Sequence, residues 1–123
     1  MNFEKKEYET ALELTAKINY TFFVFKFEAK VLTLKLYYEL KLPEQAFSLT
    51  DSFSHFLSKN RRVSERYKEP FMNFIKYLKI LFRNYGNNNL TGYDLKEMKK
   101  TLSALRYVIS KRWIIDKIEE FET

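Results

Sequence analysis

Glycine and proline are nearly absent from this chain, and this scarcity limits its fold more than any other sequence feature. The 123 residues include two glycines, Gly86 and Gly92, and two prolines, Pro43 and Pro70. Folds built from β-strands need many tight turns, and such turns rely on glycine for positive backbone dihedral angles. Because 46% of the residues are hydrophobic, the chain can still bury a core of the size that one domain needs. We therefore predict a single all-α domain over residues 1–123.

Apolar residues recur at helical spacing and predict six helices. The predicted helices cover residues 5–18, 22–41, 43–59, 64–85, 93–107 and 110–121. The second helix carries two apolar stripes, so we expect it to pack between neighbours on both sides. One stripe is Phe27, Val31, Leu34 and Tyr38, and the other is Phe25, Ala29, Leu32, Leu36 and Leu40. Pro70, inside the fourth helix, should kink it or delay its regular part to Glu69. Six helices with short connections predict antiparallel helical hairpins.

Two segments of the chain match each other at an offset of 35 residues. Residues 6–15 lie over residues 41–50, and five of the ten positions are identical. The identical pairs are Lys6 and Lys41, Glu9 and Glu44, Ala11 and Ala46, Leu14 and Leu49, and Thr15 and Thr50. An offset near 34 is the period of the tetratricopeptide repeat, a helix-turn-helix unit that stacks into a solenoid.

The residues around this match also resemble the tetratricopeptide family. Tyr37, the turn at Lys41 and then Ala46 resemble the motif in which a tyrosine late in one helix precedes a small residue early in the next. Tyr8 and Ala11 resemble the same aromatic and small pair. The resemblance covers residues 5–58. More broadly, residues 34–40, followed by the helix at residues 53–58, resemble the C-terminal end of uncharacterised bacterial tetratricopeptide-like proteins. It implies a tetratricopeptide-like α-α superhelix, with Ala11, Tyr37 and Ala46 packed between helices. A compact helical bundle is the alternative fold.

Basic residues are concentrated in the second half of the chain. Residues 59–112 carry 14 basic and 4 acidic side chains, a net charge of +10, whereas residues 1–58 sum to −1. Such a block attracts nucleic acid, an anionic membrane or an acidic protein, and it also occurs as a plain solvated surface. The candidate interaction surface comprises Arg61, Arg62, Arg66, Lys76, Lys79, Arg83, Lys99, Lys100 and Arg106.

Several chemistries lack the residues that they need. Without cysteine the chain forms no disulfide, thiolate metal site or cysteine nucleophile. Two isolated glycines cannot build a phosphate-binding loop, and the single histidine, His55, lies in one helical turn with Ser52 and Asp51 instead of facing them from separate elements. We therefore expect no catalytic residue, no metal and no cofactor. The polar N-terminus and the lack of a long apolar run predict a cytoplasmic protein without membrane contact.

These observations predict a non-catalytic protein–protein interaction or scaffolding module. The alternative is a nucleic-acid-binding helical module that uses the basic surface of residues 59–112. The first predicted helix has an apolar arc wider than one packing contact needs, which leaves Tyr8, Leu12 and Ala16 as a candidate docking face. If that helix is the second half of a repeat, its uncapped side should be covered by another copy or by an upstream part of a longer chain.

Overall fold

The computed structural model describes residues 5–61 and 63–122, and within them it leaves out the side chains of residues 19 and 20. Over these residues the chain forms five α-helices and no strand, which confirms the all-α prediction. The helices are α1 (Lys5–Glu39), α2 (Pro43–Lys59), α3 (Glu65–Asn87), α4 (Gly92–Ala104) and α5 (Lys111–Glu122).

Helix α1 is continuous where the sequence predicted two helices. The expected break at residues 19–21 is wrong, because α1 runs through them without interruption for 35 residues. Asparagine, tyrosine and threonine each cost only a few tenths of a kcal/mol in a helix, and neither glycine nor proline interrupts this segment. At a rise of 1.5 Å per residue, α1 is roughly 52 Å long.

The five helices pack as a bundle around one aromatic core. Helix α1 packs on α2 and α3, α2 packs on α3, and α5 packs on both α3 and α4. At the centre, the Phe27 ring lies 5.6 Å from the Phe53 ring and 5.0 Å from the Phe71 ring, so α1, α2 and α3 meet there. Aromatic pairs at these separations stabilise a core beyond their buried area. This architecture fits the helical-bundle alternative.

Only the second half of α1 takes part in this bundle. The core contacts of α1 begin at Phe23, and every described side chain from Lys5 to Phe22 is exposed. The buried residues of α1 are Phe27, Val31, Leu34 and Tyr38. The first half of α1 therefore extends away from the body of the bundle.

The connections explain where the other helices begin and end. Lys41, Asn88 and Ser110 adopt left-handed backbone conformations at the ends of loops, with φ of 58°, 52° and 56°. Thr91 caps α4 through a reciprocal pair of hydrogen bonds with Asp94. Helix α4 ends at Ala104, three residues before the predicted end at Tyr107.

Helix α3 includes Pro70 without a break in its helical assignment from Glu65 to Asn87. The proline carbonyl accepts a hydrogen bond from the backbone N–H of Ile109, at 3.1 Å. Thus the segment between α4 and α5 is held against the first part of α3. Of the two expected consequences of Pro70, the delay of the regular helix to Glu69 is wrong, because α3 begins at Glu65.

Candidate functional site

The most unusual surface of the molecule is an apolar face that runs along α1. Five large residues on this face are between 52% and 73% exposed: Ile18, Phe22, Phe25, Leu32 and Leu36. The smaller side chains of Ala11, Thr15 and Ala29 are exposed between them. We call these eight residues the α1 seam.

The spacing of the α1 seam is that of a coiled coil. Successive residues are three or four positions apart, in the order Ala11, Thr15, Ile18, Phe22, Phe25, Ala29, Leu32 and Leu36. A strict seven-residue repeat keeps an apolar stripe facing a second helix along its whole length. In heptad notation Thr15, Phe22, Ala29 and Leu36 take position a, and Ala11, Ile18, Phe25 and Leu32 take position d.

The other face of α1 explains why the seam points to solvent. Phe27, Val31, Leu34 and Tyr38 occupy heptad positions c and f, and the bundle buries all four. Packing against α2 and α3 thus fixes the rotation of α1 about its axis. The second stripe of this helix, which we expected to pack against a further neighbour, is therefore left exposed.

Threonine within the seam does not need a new hydrogen-bond partner. The Thr15 hydroxyl donates to the carbonyl of Ala11 at 2.9 Å. A buried hydroxyl is costly only when it is left without a hydrogen bond. Covering Thr15 with an apolar side chain is consequently compatible with its present geometry.

Charged side chains lie on both flanks of the seam. The ammonium group of Lys26 lies 4.8 Å from the centre of the Phe56 ring, and that of Lys35 lies 5.8 Å from the centre of the Trp113 ring. Burial lowers the pKa of Lys35, because desolvation disfavours its charged form. Among the described residues, no carboxylate forms an ion pair with Lys35.

The seam ends where α5 approaches α1. The next d position after Leu32 is Glu39, whose carboxylate pairs with the ammonium of Lys117 on α5. Beside this pair, burial and the negative charges of Glu120 and Glu39 raise the pKa of Tyr38 to about 12. A polar contact within the chain thus occupies the position that would extend the apolar repeat.

The predicted docking face lies on the exposed half of α1. Tyr8, Leu12 and Ala16 are all exposed, and they lie at positions a, e and b of the same repeat. Leu12 therefore borders the seam, whereas Ala16 lies off it. Of the residues predicted to pack between repeats, Ala46 is fully buried, Tyr37 is half-buried and Ala11 is exposed as part of the seam.

The structure distributes the predicted basic surface over separate helices. Arg61 and Arg66 lie around the start of α3, Lys76, Lys79 and Arg83 lie further along it, and Lys99 and Lys100 lie on α4. Helix α4 packs on α5. Arg106 is exposed in the segment after α4, and Arg62 lies outside the described residues.

In the part of the chain that the structure describes, two of these cations form ion pairs. The ammonium of Lys79 lies 3.4 Å from the Asp51 carboxylate, and that of Lys99 lies 2.7 Å from the Glu122 carboxylate. Such pairs lower the net charge that a nearby phosphate would experience. Exposed cations in the set are Arg61, Arg66, Lys76, Arg83, Lys100 and Arg106.

A cavity of about 440 Å³ lies at the turn between α1 and α2. Its walls include four aromatic side chains, and Lys41 at its edge donates a hydrogen bond to the Tyr85 hydroxyl. The lining residues include Tyr38, Pro43, Phe47, Phe82, Arg83 and Tyr85. His55 is exposed on α2, away from this cavity's lining, and no acidic or histidine cluster with metal-binding geometry lies within residues 5–61 and 63–122.

Sequence reasoning missed the seam because it placed a helix break inside it. With the break at residues 19–21, Ile18 and Phe22 belonged to different helices, and the seven-residue spacing across them was not visible. Phe25, Leu32 and Leu36 were then assigned to internal packing. The signal was present in the sequence, since the spacing from Ala11 to Leu36 is unbroken.

No helix in the described part of the chain is both long enough and apolar enough to cross a membrane. Comparison with protein-family models, with curated proteins and with solved structures finds no match for this chain.

Proposed function

We propose that this chain is a non-catalytic protein–protein interaction module that binds through the α1 seam. The observation that carries the proposal is the exposed seven-residue repeat on a helix whose other face is anchored in the bundle. The partner surface that fits a straight apolar stripe of this length is another α-helix.

Exposure of the seam costs free energy that a partner would recover. A monomer seldom exposes a contiguous apolar patch larger than a few hundred Å², and larger patches mark interaction sites. With five large side chains each more than half exposed, the α1 seam reaches that range. Burying apolar surface is the main driving force for association of this kind.

The tetratricopeptide-like relation belongs to the same proposal. The second half of α1 and the whole of α2 would form one such helical hairpin, with Ala46 at its closest approach. Lys41 supports this assignment, because it holds the left-handed φ of 58° at the turn where the family has glycine. The first half of α1 then corresponds to no repeat helix, and its role is to carry the first residues of the α1 seam.

Nucleic-acid binding through the basic block is the weaker alternative. Phosphate contacts need cations that are clustered and free to bind. The pairing of Lys79 with Asp51 and of Lys99 with Glu122, and the placing of the cations on different helices, favour a solvated surface instead.

Photo-crosslinking inside cells that express the chain tests the proposed function. A photoreactive benzoylphenylalanine replaces Phe25 in the seam, and the matched control replaces Tyr93, an exposed aromatic residue on α4. We expect a crosslinked product from position 25 only, with the attachment point on an apolar stripe of a helix. Equal products from both positions, or none from position 25, would contradict the proposal.

A further inference from the structure

Within the α1 seam, two alanines flank a group of larger side chains at equal distances from residue 20. The alanines are Ala11 and Ala29, and the larger residues between them are Thr15, Ile18, Phe22 and Phe25. Building on the proposed function, we propose that α1 pairs with α1 of a second copy of this chain in antiparallel orientation. The twofold axis then passes between Ile18 and Phe22.

In this register no layer of the pair contains two phenylalanines. Ile18 lies opposite Phe22 of the second copy, Thr15 opposite Phe25, and Ala11 opposite Ala29. Antiparallel coiled coils place a residues against d residues, which allows a large side chain to meet a smaller one. Distributing the phenylalanines over separate layers avoids overpacking at the centre of the pair.

A parallel pair would fill its layers unevenly. Each seam residue would meet its own copy, so that Phe22 faced Phe22 and Phe25 faced Phe25 in consecutive layers. Flanking positions g and e would also bring no opposite charges together, since Lys26 would lie beside Thr21 and Glu28 beside Thr33. Charge pairs at these positions commonly set orientation.

The antiparallel register also brings opposite charges together at both ends. In an antiparallel pair, position g of one helix flanks position g of the other. Glu7 of each copy then lies next to Lys35 of the other copy, so the dimer contains two such charge pairs. Glu7 is exposed near the start of α1, and Lys35 is the half-buried cation beside Trp113. A carboxylate at that place would stabilise the ammonium group that burial disfavours.

The expected contact area lies at the lower limit for a specific dimer. An aromatic side chain buries on the order of 150 to 250 Å² in full, so the exposed parts of the seam and its flanks would bury on the order of 1,200 Å² over both copies. Specific protein interfaces begin near this size. The symmetric arrangement is an isologous contact, which closes at two copies.

Disulfide trapping tests the orientation, and the absence of cysteine from the chain makes the test clean. Purified Ala11→Cys and Ala29→Cys variants of the full chain are mixed in equal amounts in a redox buffer. We expect the mixed disulfide to exceed the random yield and each variant alone to crosslink slowly. Ala16→Cys, an exposed position outside the seam, gives the background rate. Rapid disulfide formation between two copies of the same variant would overturn the antiparallel orientation. A random distribution of the possible disulfide-linked dimers would overturn pairing in this register.

Charge reversal tests the register. Glu7→Lys and Lys35→Glu should each weaken the dimer several-fold, about the effect of exposed ion pairs, and the double variant should return the dissociation constant close to that of the unmodified chain. Circular dichroism checks that each variant keeps its helix content. The pairing of Glu7 with Lys35 would be overturned if the single variants left the dissociation constant unchanged. It would also be overturned if the double variant dimerised more weakly than both single variants.

This inference and the proposed function fail in different ways. If the purified chain forms no trapped dimer while position 25 crosslinks a helix of a different protein in cells, the self-pairing is wrong and the proposed function holds. If position 25 crosslinks nothing, both are wrong. A crosslink from position 25 to residues 11–22 of a second copy supports both.

Discussion

Ala46 lies in the first turn of α2, and it has no exposed surface. Because a larger side chain has no room there, Ala46→Leu should lower the free energy of unfolding by about 1 to 3 kcal/mol. Chemical denaturation measures the change. The matched control is Ala16→Leu, on the exposed half of α1, which should stay within about 0.5 kcal/mol of the unmodified chain. An Ala46→Leu change as small as the control's would show that the surroundings of Ala46 are not closely packed.

Because Asp94 takes part in the N-terminal cap of α4, the free energy of unfolding should depend on pH in the acidic range. Hydrogen bonds with the backbone N–H and with the side-chain hydroxyl of Thr91 lower the pKa of the Asp94 carboxyl. A group with a lowered folded-state pKa stabilises the fold above its unfolded-state pKa, near 3.9, and loses that contribution as pH falls through the folded-state value.

We therefore expect the difference in stability between the unmodified chain and Asp94→Asn to narrow as pH falls below about 4. Thermal denaturation across a pH series measures it. Glu97→Gln, on the same helix but outside the cap, serves as the control. A difference that stays constant or grows on acidification would contradict the role assigned to the cap.

At the scale of the helix, α1 combines two environments. Residues 27–38 pack in the bundle. Residues 8–18 are exposed, so hydrogen bonds and contacts within the helix are what stabilise them. An isolated helix of that length is only marginally stable in water. In dilute solution the amides of residues 8–18 should exchange hydrogen orders of magnitude faster than those of residues 27–38. Hydrogen-exchange mass spectrometry measures both. Equal protection of the two halves in dilute solution would mean that the first half of α1 has an unseen packing partner.

Much of the element structure followed from the sequence, for identifiable reasons. Helix α2 matches its predicted bounds because Pro43 and Asn60 mark its ends strongly. The break predicted in α1 rested on Asn19 and Thr21, whose helix propensities are only modestly unfavourable and are easily overridden. The exposure of the seam could not be predicted locally. Which of two apolar stripes on α1 is buried depends on where α2 and α3 pack.

At the scale of the whole molecule, the charge distribution predicts weak attraction for nucleic acid. Because two of the cations are paired with carboxylates and the others are distributed over α3, α4 and the connecting segments, we expect few phosphate contacts at once. Binding to random-sequence duplex DNA should therefore show a shallow salt dependence, with a log–log slope no steeper than about −3. Fluorescence anisotropy over a salt series measures the slope. The Arg83→Gln variant should change it little. A slope near −6 or steeper would favour the nucleic-acid alternative.

The monomer–dimer equilibrium tests the whole account, because the proposed dimer depends on single residues of α1, on the helix and on the packing of the bundle. The bundle fixes the rotation of α1, this rotation exposes the seam, and the seam then selects a second helix. A substitution that removes pairing without disturbing the bundle should therefore exist, and Phe25→Glu is the clearest choice, since Phe25 is exposed and contributes nothing to the core.

Sedimentation equilibrium from low micromolar to near-millimolar concentration is the most direct measurement. The unmodified chain should pass from monomer to dimer over this range, and Tyr93→Glu, which removes an exposed aromatic residue outside the seam, should behave the same. Phe25→Glu should remain monomeric with its melting temperature nearly unchanged. An unmodified chain that is monomeric throughout, or a Phe25→Glu variant that dimerises as well as the unmodified chain, would contradict pairing through α1.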